Sequence, residues 1–341
     1  MNFIKITKTS RFLDPAQGFA ETRRYSEVRI DPLTGRSTRI LDFPVREIVR
    51  TDMSAQVESS RSLCPFCPEL KDLVTPKFHP DLLSRERYIT GEAMCVPNAF
   101  PYDENGAVCI MCRDHYMPLT AFTAGIIRDS LQCCFEYLKD VVIRQPDMIY
   151  QSVNWNYMPL AGGSLIHPHL QITASSSSTN YYTEMVPALA QYRERYGRDY
   201  WTDLRDEESR LRERCMAVND HMTWLVDFAP LGVFDILGVF HETFGPEGIM
   251  GPVLDDLVQG ILHVLSYIDS LNMVSLNMSL YFLGGNPQFV PHVRICPRVS
   301  IPPFGTSQVN YMKMLHDESL TTLKPEDICK DLKASWTTRV G

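Results

Sequence analysis

The chain has 341 residues, of which 44% are hydrophobic and 22% charged, and its formal net charge is −8 at pH 7. This composition is typical of a packed globular protein and fits either two ordinary domains or one large domain built from two similar halves. The acidic balance argues against a broad nucleic-acid surface, and no apolar run reaches the 18 residues of a membrane span.

The N-terminus and the cysteines indicate where the protein works. The first residues, MNFIKITKTSRFLD, lack the apolar core of a signal peptide, and the chain carries ten cysteines. Ten cysteines without an export signal indicate free thiols in a reducing compartment rather than a disulfide framework. We therefore expect a cytoplasmic protein with no membrane and no nucleic-acid partner.

A strand–helix–strand–strand series lies in the first half of the chain. Residues 107–114 (AVCIMCRD) are predicted to be a strand that ends at His115, and residues 124–145 carry an apolar stripe at helical spacing. Two more strands are predicted at 148–157 (MIYQSVNWNY) and 167–174 (HPHLQITA), with a glycine turn between them.

The same series recurs in the second half. Residues 231–240 (LGVFDILGVF) are predicted to be a strand ending at His241, and residues 251–270 are predicted to be helical. Strands follow at 273–283 (MVSLNMSLYFL) and 289–298 (FVPHVRICPR).

The spacing of histidines supports a duplication. His169 follows His115 by 54 residues and His292 follows His241 by 51, by subtraction of their positions. A period of this kind indicates that one supersecondary unit has been duplicated, although a strand–helix–strand–strand series also recurs by chance in α+β proteins.

Between the two series the chain changes character. Residues 175–184 (SSSSTNYYTE) are predicted to be a loop, and residues 191–215 are predicted to be polar, mostly helical and solvent-facing. We therefore divide the chain into an N-terminal half, 1–185, and a degenerate C-terminal half, 186–341.

Two motifs carry side chains that suit metal binding. Cys64 and Cys67 form a C-x-x-C turn that would bind zinc with two further ligands, for which the chain offers His115 and one histidine of the H-P-H motif. A closed Cys₂His₂ set would make the zinc structural; two buried thiols or a redox pair is the alternative for this turn. A second C-x-x-C, Cys109 and Cys112, lies in a predicted strand, where its thiols point to opposite faces, and is assigned to the core.

The H-P-H motif itself has two interpretations. On a strand, His167 and His169 would face one side, with Gln171 next on that side. A histidine pair at this spacing is more often a metal-ligand pair or a chance occurrence than a catalytic device, so the surrounding motifs decide between these readings.

Taken in series, the motifs resemble the galactose-1-phosphate uridylyltransferase family of the histidine-triad superfamily. The resemblance covers most of the chain and implies an α+β fold of duplicated halves, each an antiparallel sheet with helices packed against it, assembled as a homodimer. The matching segments are VRIDPLTGR (28–36), CPFC (64–67), VPNAFP (96–101), RDHY (113–116), NYMPLAGGSLIHPHLQ (156–171) and YMKMLHDESLTTLKPEDICKDLK (311–333).

The resemblance implies a role for each residue of the motifs. His167 would join Cys64, Cys67 and His115 on a structural zinc, and His169 would attack the α-phosphorus of a nucleoside diphosphate compound, forming a covalent nucleotidyl-histidine. Gln171 would donate its amide to a phosphate oxygen in the transition state. The residues expected around the nucleotide and its phosphates are Arg29, Asn98, Asn156, Gly162, Gly163 and Ser164.

Three departures from the family bear on the substrate. Lys313 and Ser319 stand where the family has a glutamate and a glutamine that contact the hexose, which makes galactose doubtful and favours an anionic acceptor. Met158 replaces a glycine, and the segment VPNAFP lacks an aspartate that often follows the asparagine, so uridine is not assured as the base.

The third departure concerns a further metal site in the second half. Val290 stands where a histidine would complete another H-x-H, leaving only His292 and the possible carboxylate Glu184. We expect that site to be empty or altered, with His292 and His241 as hydrogen-bonded core or cleft residues.

The sequence thus predicts a ping-pong nucleotidyltransferase that moves a nucleoside monophosphate from a nucleotide sugar to a phosphorylated acceptor. The runner-up is a phosphorylase that uses inorganic phosphate, with ADP-glucose or a dinucleoside polyphosphate as donor. A non-catalytic, zinc-stabilised nucleotide-binding or partner-binding module is the alternative from another class.

Overall fold

A computed structural model describes residues 1–43, 47–301, 306–307 and 309–336. The strands are β1 (Ile4–Asp14), β2 (Ala20–Ile30), β3 (Ser37–Leu41), β4 (Tyr88–Thr90), β5 (Ala93–Pro97), β6 (Asn105–Ile110), β7 (Tyr150–Tyr157), β8 (His169–Ser175), β9 (Cys215–Val218), β10 (Met222–Val226), β11 (Ile236–Phe240), β12 (Leu276–Leu283), β13 (His292–Pro297), β14 (Ser300–Ile301), β15 (Thr306–Ser307) and β16 (Ser319–Thr321). The α-helices are α1 (Ser54–Arg61), α2 (Lys71–Val74), α3 (Ala124–Arg144), α4 (Asn180–Tyr196), α5 (Tyr200–Leu211), α6 (Pro252–Ser270), α7 (Tyr311–His316) and α8 (Pro325–Trp336).

A ten-stranded antiparallel sheet forms the centre of the fold. Its order is β4-β5-β6-β8-β7-β12-β13-β11-β10-β9. The first five strands in this order come from the first half, and the last five, read from the opposite edge, repeat the same order. The two sets join where β7 pairs with β12, with Asn154 opposite Ser279. The α+β fold with duplicated halves is therefore confirmed, and the two halves share one continuous sheet.

Helices α3 and α6 pack on one face of this sheet because each carries an apolar stripe. Ile127 and Leu131 of α3 are buried, as the sequence predicts, and Leu257 and Ile261 are buried on α6. A Cβ on Gly260 of α6 would lie 2.0 Å from the Trp224 indole of β10, so only glycine permits this close helix–sheet contact. Val108 and Ile110 of β6, which pair with Gln171 and His169 of β8, pack instead in a second, smaller apolar cluster with Cys64, Phe66 and Cys67.

A smaller sheet in the order β1-β2-β3-β16 stands beside the large one. The C-terminal strand β16 pairs parallel to β3, and Ser319 of β16 donates a hydrogen bond to the Leu231 carbonyl at 2.7 Å. Both predicted units thus contribute strands to this sheet, and the division between 1–185 and 186–341 stays a prediction. Within the described ranges, no helix combines the length and apolarity needed to cross a bilayer.

Two predictions for the region between the repeats are wrong. The segment 175–184 is not all loop, because α4 begins at Asn180, where the short polar residues give way to larger side chains. The segment 191–215 is helical but not wholly solvent-facing, since Tyr200 and Trp201 are buried. These aromatic residues are surrounded in the sequence by charged residues. The average polarity of the segment therefore did not indicate that one side of the helix is buried.

Of the predicted strands, two differ most from the structure at one end. The strand at 107–114 ends at Ile110, which leaves His115 in the loop that follows, and the strand at 231–240 begins only at Ile236. An apolar run alone does not distinguish a paired strand from a buried extended segment, so these ends could not be placed from sequence.

Candidate active site and metal centre

The four predicted metal ligands lie together in a buried cluster of Cys64, Cys67, His115 and His167, in which the ligand atoms fall within 4.8 Å of one another. The distances from His167 Nδ1 to Cys64 Sγ and Cys67 Sγ are 3.7 and 3.6 Å, and His115 Nδ1 lies 3.4 Å from Cys67 Sγ. A tetrahedral zinc would separate its sulfur and nitrogen ligands by about 3.6 Å, given metal–ligand distances of about 2.3 and 2.0 Å. The cluster could therefore hold a metal ion.

Hydrogen bonds orient both imidazoles of the cluster for metal binding. His167 Nε2 lies 2.9 Å from the Cys112 carbonyl, which can only accept, so the ring proton sits on Nε2 and the Nδ1 lone pair faces the thiols. His115 Nε2 lies 3.1 Å from the Val57 carbonyl and 3.0 Å from Ser60 Oγ, which fixes the same tautomer. Burial lowers the pKa of His167 to about 4, so this ring is neutral, as a metal ligand must be.

The Cys67 thiol of the cluster needs a nearby cation to ionise. Burial and the neighbouring Cys64 raise the pKa of Cys67 to about 12 in the protein without metal. A bound divalent ion reverses this preference because it stabilises the thiolate directly. The donor set, the burial and the oriented imidazoles thus fit a closed metal site.

His169 opens strand β8 beside this cluster. Its Nδ1 lies 2.7 Å from the His167 carbonyl, which can only accept, so Nδ1 carries the proton and Nε2 keeps its lone pair. Burial also lowers the pKa of His169, which favours the neutral ring, and the Phe66 ring packs edge-on with its centroid 5.4 Å away. His169 therefore has the tautomer of a nitrogen nucleophile.

The structure changes the sequence-based reason for the H-P-H spacing. His167 precedes β8 instead of lying on it, and the Phe66 ring borders both imidazoles, with centroids 6.1 Å from His167 and 5.4 Å from His169. The backbone carbonyl of His167 orients His169, while its ring lies in the metal cluster. The motif thereby ties the metal cluster to the candidate nucleophile through a single residue.

Gln171 lies two residues after His169 on the same strand and therefore on the same face. Asn156 of β7 is a neighbour, with its Nδ2 3.5 Å from Gln171 Oε1. The structure thus brings together three of the predicted site residues: His169, Gln171 and Asn156.

The glycine turn that follows β7 packs tightly against that strand. A Cβ on Gly163 would lie 2.7 Å from the Asn156 carbonyl, and Gly162 has a φ of 87°. Met158, which replaces the family's glycine, also has a positive φ of 69° although it has a side chain, so the turn is backbone-strained at that residue. Ser164 is exposed just beyond the turn.

Two residues expected near the nucleotide have other described contacts. Asn98 caps its own turn, with its Oδ1 accepting from the Phe100 N–H at 3.0 Å. Arg29 is buried and donates to Glu27, to Glu326 at 2.8 and 2.9 Å, and to the Phe228 carbonyl. The structure therefore places Arg29 in an ion-pair network that joins β2 to α8 and not at the glycine turn.

The Arg29 network gives a test of structural against phosphate-binding roles. We expect Arg29→Met to lower the free energy of unfolding by about 3 kcal/mol, because two carboxylates lose a buried partner. Urea denaturation measures this, with Arg24→Met, an exposed side chain, as the matched control. Unchanged stability together with a raised KM for a nucleotide donor would instead assign Arg29 to the phosphates.

Lys313 and Ser319 line one cavity of about 220 Å³, whose wall also includes Asn277, Cys296 and Arg298. Asn277 lies directly opposite Asn156 in the β7–β12 pair, so this cavity adjoins the face that carries Asn156 and Gln171. Lys313 Nζ lies 3.3 Å from Asp317 Oδ1. The hydroxyl of Ser319 is committed to the Leu231 carbonyl, which makes Ser319 a wall residue.

The second half carries an altered copy of the His169 arrangement. His292 Nδ1 lies 2.8 Å from the Val290 carbonyl, the same contact that orients His169, but its Nε2 lies 2.6 Å from the Tyr181 hydroxyl. Burial lowers the pKa of His292 to about 3. The prediction that His292 is a hydrogen-bonded core residue is confirmed, while Glu184 pairs with Arg36 at 2.8 Å.

His241 is likewise hydrogen-bonded, through its two ring nitrogens, to the Asp220 carbonyl and the Thr223 hydroxyl, each at 3.0 Å. The sequence analysis missed two residues of the first-half site, Phe66 and Ser60. Phe66 lies within the C-P-F-C turn itself, so an aromatic residue between two metal ligands was the available signal. Nothing in the sequence marked Ser60, whose contact with His115 depends on tertiary structure.

No protein-family model matches the chain. A protein of Archaeoglobus fulgidus, described only as uncharacterized, is 29% identical over 312 residues, which cover 91% of this chain and 92% of the relative. Among solved structures, an ADP-glucose phosphorylase of Arabidopsis thaliana with bound ADP-glucose matches with a TM-score of 0.69 and 16% identity, over 90% of this chain and 98% of that one.

Two further solved structures match over similar lengths. A GalT-like protein of Arabidopsis thaliana gives a TM-score of 0.68 and 17% identity, covering 90% of this chain and 98% of that chain. A uridylyltransferase gives 0.65 and 17%, covering 92% and 99%. The resemblance inferred from the motifs is thus confirmed at the level of the fold: the chain has the fold of the uridylyltransferase and ADP-glucose phosphorylase structures.

Proposed function

We propose that the protein is a nucleotidyltransferase that moves a nucleoside monophosphate from a nucleotide sugar to a phosphorylated acceptor through a nucleotidyl-His169 intermediate. One observation carries this proposal: the His167 carbonyl holds the proton on His169 Nδ1 and so leaves the Nε2 lone pair for attack. The fold shared with a uridylyltransferase and an ADP-glucose phosphorylase supports the same class. A covalent adduct on His169, sought by intact mass, is the test.

The reaction takes place in two displacements at the α-phosphorus. His169 Nε2 forms a bond to this phosphorus, and the bond to the bridging oxygen breaks, so that the sugar phosphate leaves with the electron pair. A phosphate oxygen of the acceptor then attacks the same phosphorus and returns the electron pair to Nε2. Gln171 would donate an N–H to a non-bridging oxygen in both transition states, and the turn at Gly162, Gly163 and Ser164 would contact the phosphates.

The ion that we propose for the Cys64, Cys67, His115 and His167 cluster is zinc. Four protein ligands complete its coordination, so its role when bound would be to fix the segment that leads into His169. Arg29 and Asn98, whose described contacts lie elsewhere, remain only proposals as nucleotide-binding residues. The predicted homodimer and cytoplasmic location also stay predictions.

The cavity beside Asn277 supports an anionic acceptor. Lys313 and Arg298 bring two cations to its wall, and its volume of about 220 Å³ exceeds what a single phosphate ion fills. A larger phosphorylated acceptor is therefore favoured over inorganic phosphate. Inorganic phosphate remains the acceptor of the runner-up function, a phosphorylase acting on ADP-glucose or a dinucleoside polyphosphate.

We expect Lys313→Met to raise the KM of the second, acceptor substrate about tenfold and to leave the formation of the adduct unchanged, because the Lys313 ammonium, which pairs with Asp317, lines the acceptor cavity. Steady-state kinetics with a sugar phosphate as varied acceptor measures this. Lys324→Met, at an exposed position outside the cavity, is the matched control. If Lys313→Met and Lys324→Met have the same KM for the acceptor, Lys313 does not belong to the acceptor site.

A further inference from the structure

We infer that Asn277, which comes from the second half, is a positioning residue that sets the orientation of the Gln171 amide through Asn156. This inference rests on the proposed function, in which Gln171 donates to the reacting phosphate. Asn277 lies on β12, directly opposite Asn156 on β7 and on the same face of the sheet.

The chain of hydrogen bonds begins at a backbone carbonyl, a group that can accept a hydrogen bond but cannot donate one. The Ala161 carbonyl only accepts, and it lies 2.9 Å from Asn277 Nδ2, so the amide nitrogen of Asn277 must face the glycine turn. The same Nδ2 lies 2.7 Å from Asn156 Oδ1 and donates its second hydrogen there. Both hydrogens of the Asn277 amide are thereby used, and neither side chain is free to flip without losing them.

The orientation passes from Asn156 to Gln171. Since Asn156 Oδ1 accepts from Asn277, its Nδ2 points the other way and lies 3.5 Å from Gln171 Oε1. This contact favours the Gln171 rotamer whose Oε1 is turned toward Asn156. The Nε2 group of Gln171 is then the end that is presented to a phosphate oxygen, as the proposed chemistry requires.

The second half of the fold carries a different side chain at the position that corresponds to Gln171. The pseudo-twofold between the halves passes through the Asn154–Ser279 pair, and Gln171 pairs with Asn154 as Arg294 pairs with Ser279. Arg294 is therefore the counterpart of Gln171. Arg294 carries a guanidinium where Gln171 carries an amide, and it forms ion pairs with Asp227 and Asp235.

The same symmetry gives the counterparts of the other two relay residues. Counting from the axis, Ser152 corresponds to Asn277 and Tyr281 to Asn156, and Tyr281 stacks on Tyr181 with ring centroids 4.2 Å apart. The relay thus draws side chains from both units, Asn277 from the second and Asn156 and Gln171 from the first, but it acts on only one of the two copies, the one that carries His169 and the metal cluster.

The test compares variants at position 277 that differ in whether their side chain can donate a hydrogen bond to Asn156 or only accept one. Asn277→Ala removes the donor and should slow formation of the nucleotidyl-histidine about tenfold. Asn277→Asp offers only acceptors, which should reverse Asn156 and then Gln171, and should slow it about 100-fold, comparable to loss of a transition-state donor. Ser279→Ala, on the same strand and face, is the matched control. If the Ala variant does not fold, Asn277→Ser, which carries the residue type of the counterpart Ser152, replaces it.

A double-mutant cycle with Gln171→Ala separates positioning from a structural role. The rates are measured in single turnovers, using whichever of UDP-glucose and ADP-glucose labels the wild-type protein. If Asn277 acts through Gln171, Asn277→Ala should have less than about a twofold effect in the Gln171→Ala background. Losses that multiply in the double variant would overturn the inference and leave the proposed function standing. A wild-type protein that neither donor labels would overturn the proposed function and the inference with it.

Discussion

Replacing His169 by alanine is expected to reduce turnover by about 10⁴-fold or more, because the proposed covalent intermediate forms on His169 Nε2. The metal content and the melting temperature should stay close to those of the wild-type protein, since the cluster uses the ring of His167, whereas His169 is not in the cluster and donates to the backbone carbonyl of His167. Initial rates with a nucleotide sugar and a sugar phosphate measure the first effect. Zinc analysis and thermal unfolding measure the second.

His241→Ala is the matched control for this variant. His241 follows the predicted second-half strand at 231–240, and its described contacts are hydrogen bonds to Asp220 and Thr223. Full activity is expected there. Loss of zinc in His169→Ala would mean that the roles assigned to His167 and His169 are reversed.

Cys64→Ala is expected to remove the bound zinc and to lower the melting temperature by about 10 °C or more, because metal binding by a closed site contributes directly to folding free energy. Activity should fall as a consequence of this instability, since the proposed metal would hold the segment that orients His169. Zinc content per chain and the thermal midpoint, measured on one preparation, should change together.

Cys112→Ala is the matched control for the metal site. Cys112 is also buried, but only its backbone carbonyl contacts His167, so its thiol is not a ligand. Normal zinc content and a small loss of stability are expected in this variant. Full metal content in Cys64→Ala would show that the C-x-x-C turn does not bind the ion.

The candidate site could be predicted from sequence where short-range patterns determine it. Cys64 and Cys67 are close in the chain, and His167 and His169 are fixed relative to each other by one proline, so chemistry and spacing were enough to select them. The duplication was also visible, because each helix stripe and strand alternation recurs in order. Both kinds of signal depend on local spacing.

Long-range pairing was not visible in the same way. The joining of β7 to β12 depends on the register of Asn154 against Ser279, strands more than a hundred residues apart, and nothing local encodes it. The burial of Arg29 is a similar case, since its partner Glu326 lies nearly 300 residues away. The role inferred for Asn277 follows from this same register and could not be derived from motifs.

The intact mass of the protein after incubation with UDP-glucose or ADP-glucose tests the central claim most directly. A species heavier by one nucleoside monophosphate, present in the wild-type protein and absent in His169→Ala, is the predicted result, and its mass identifies the base. A wild-type protein that gains no such mass with any nucleotide sugar, or an adduct that persists in His169→Ala, would contradict the assignment of His169 as the nucleophile.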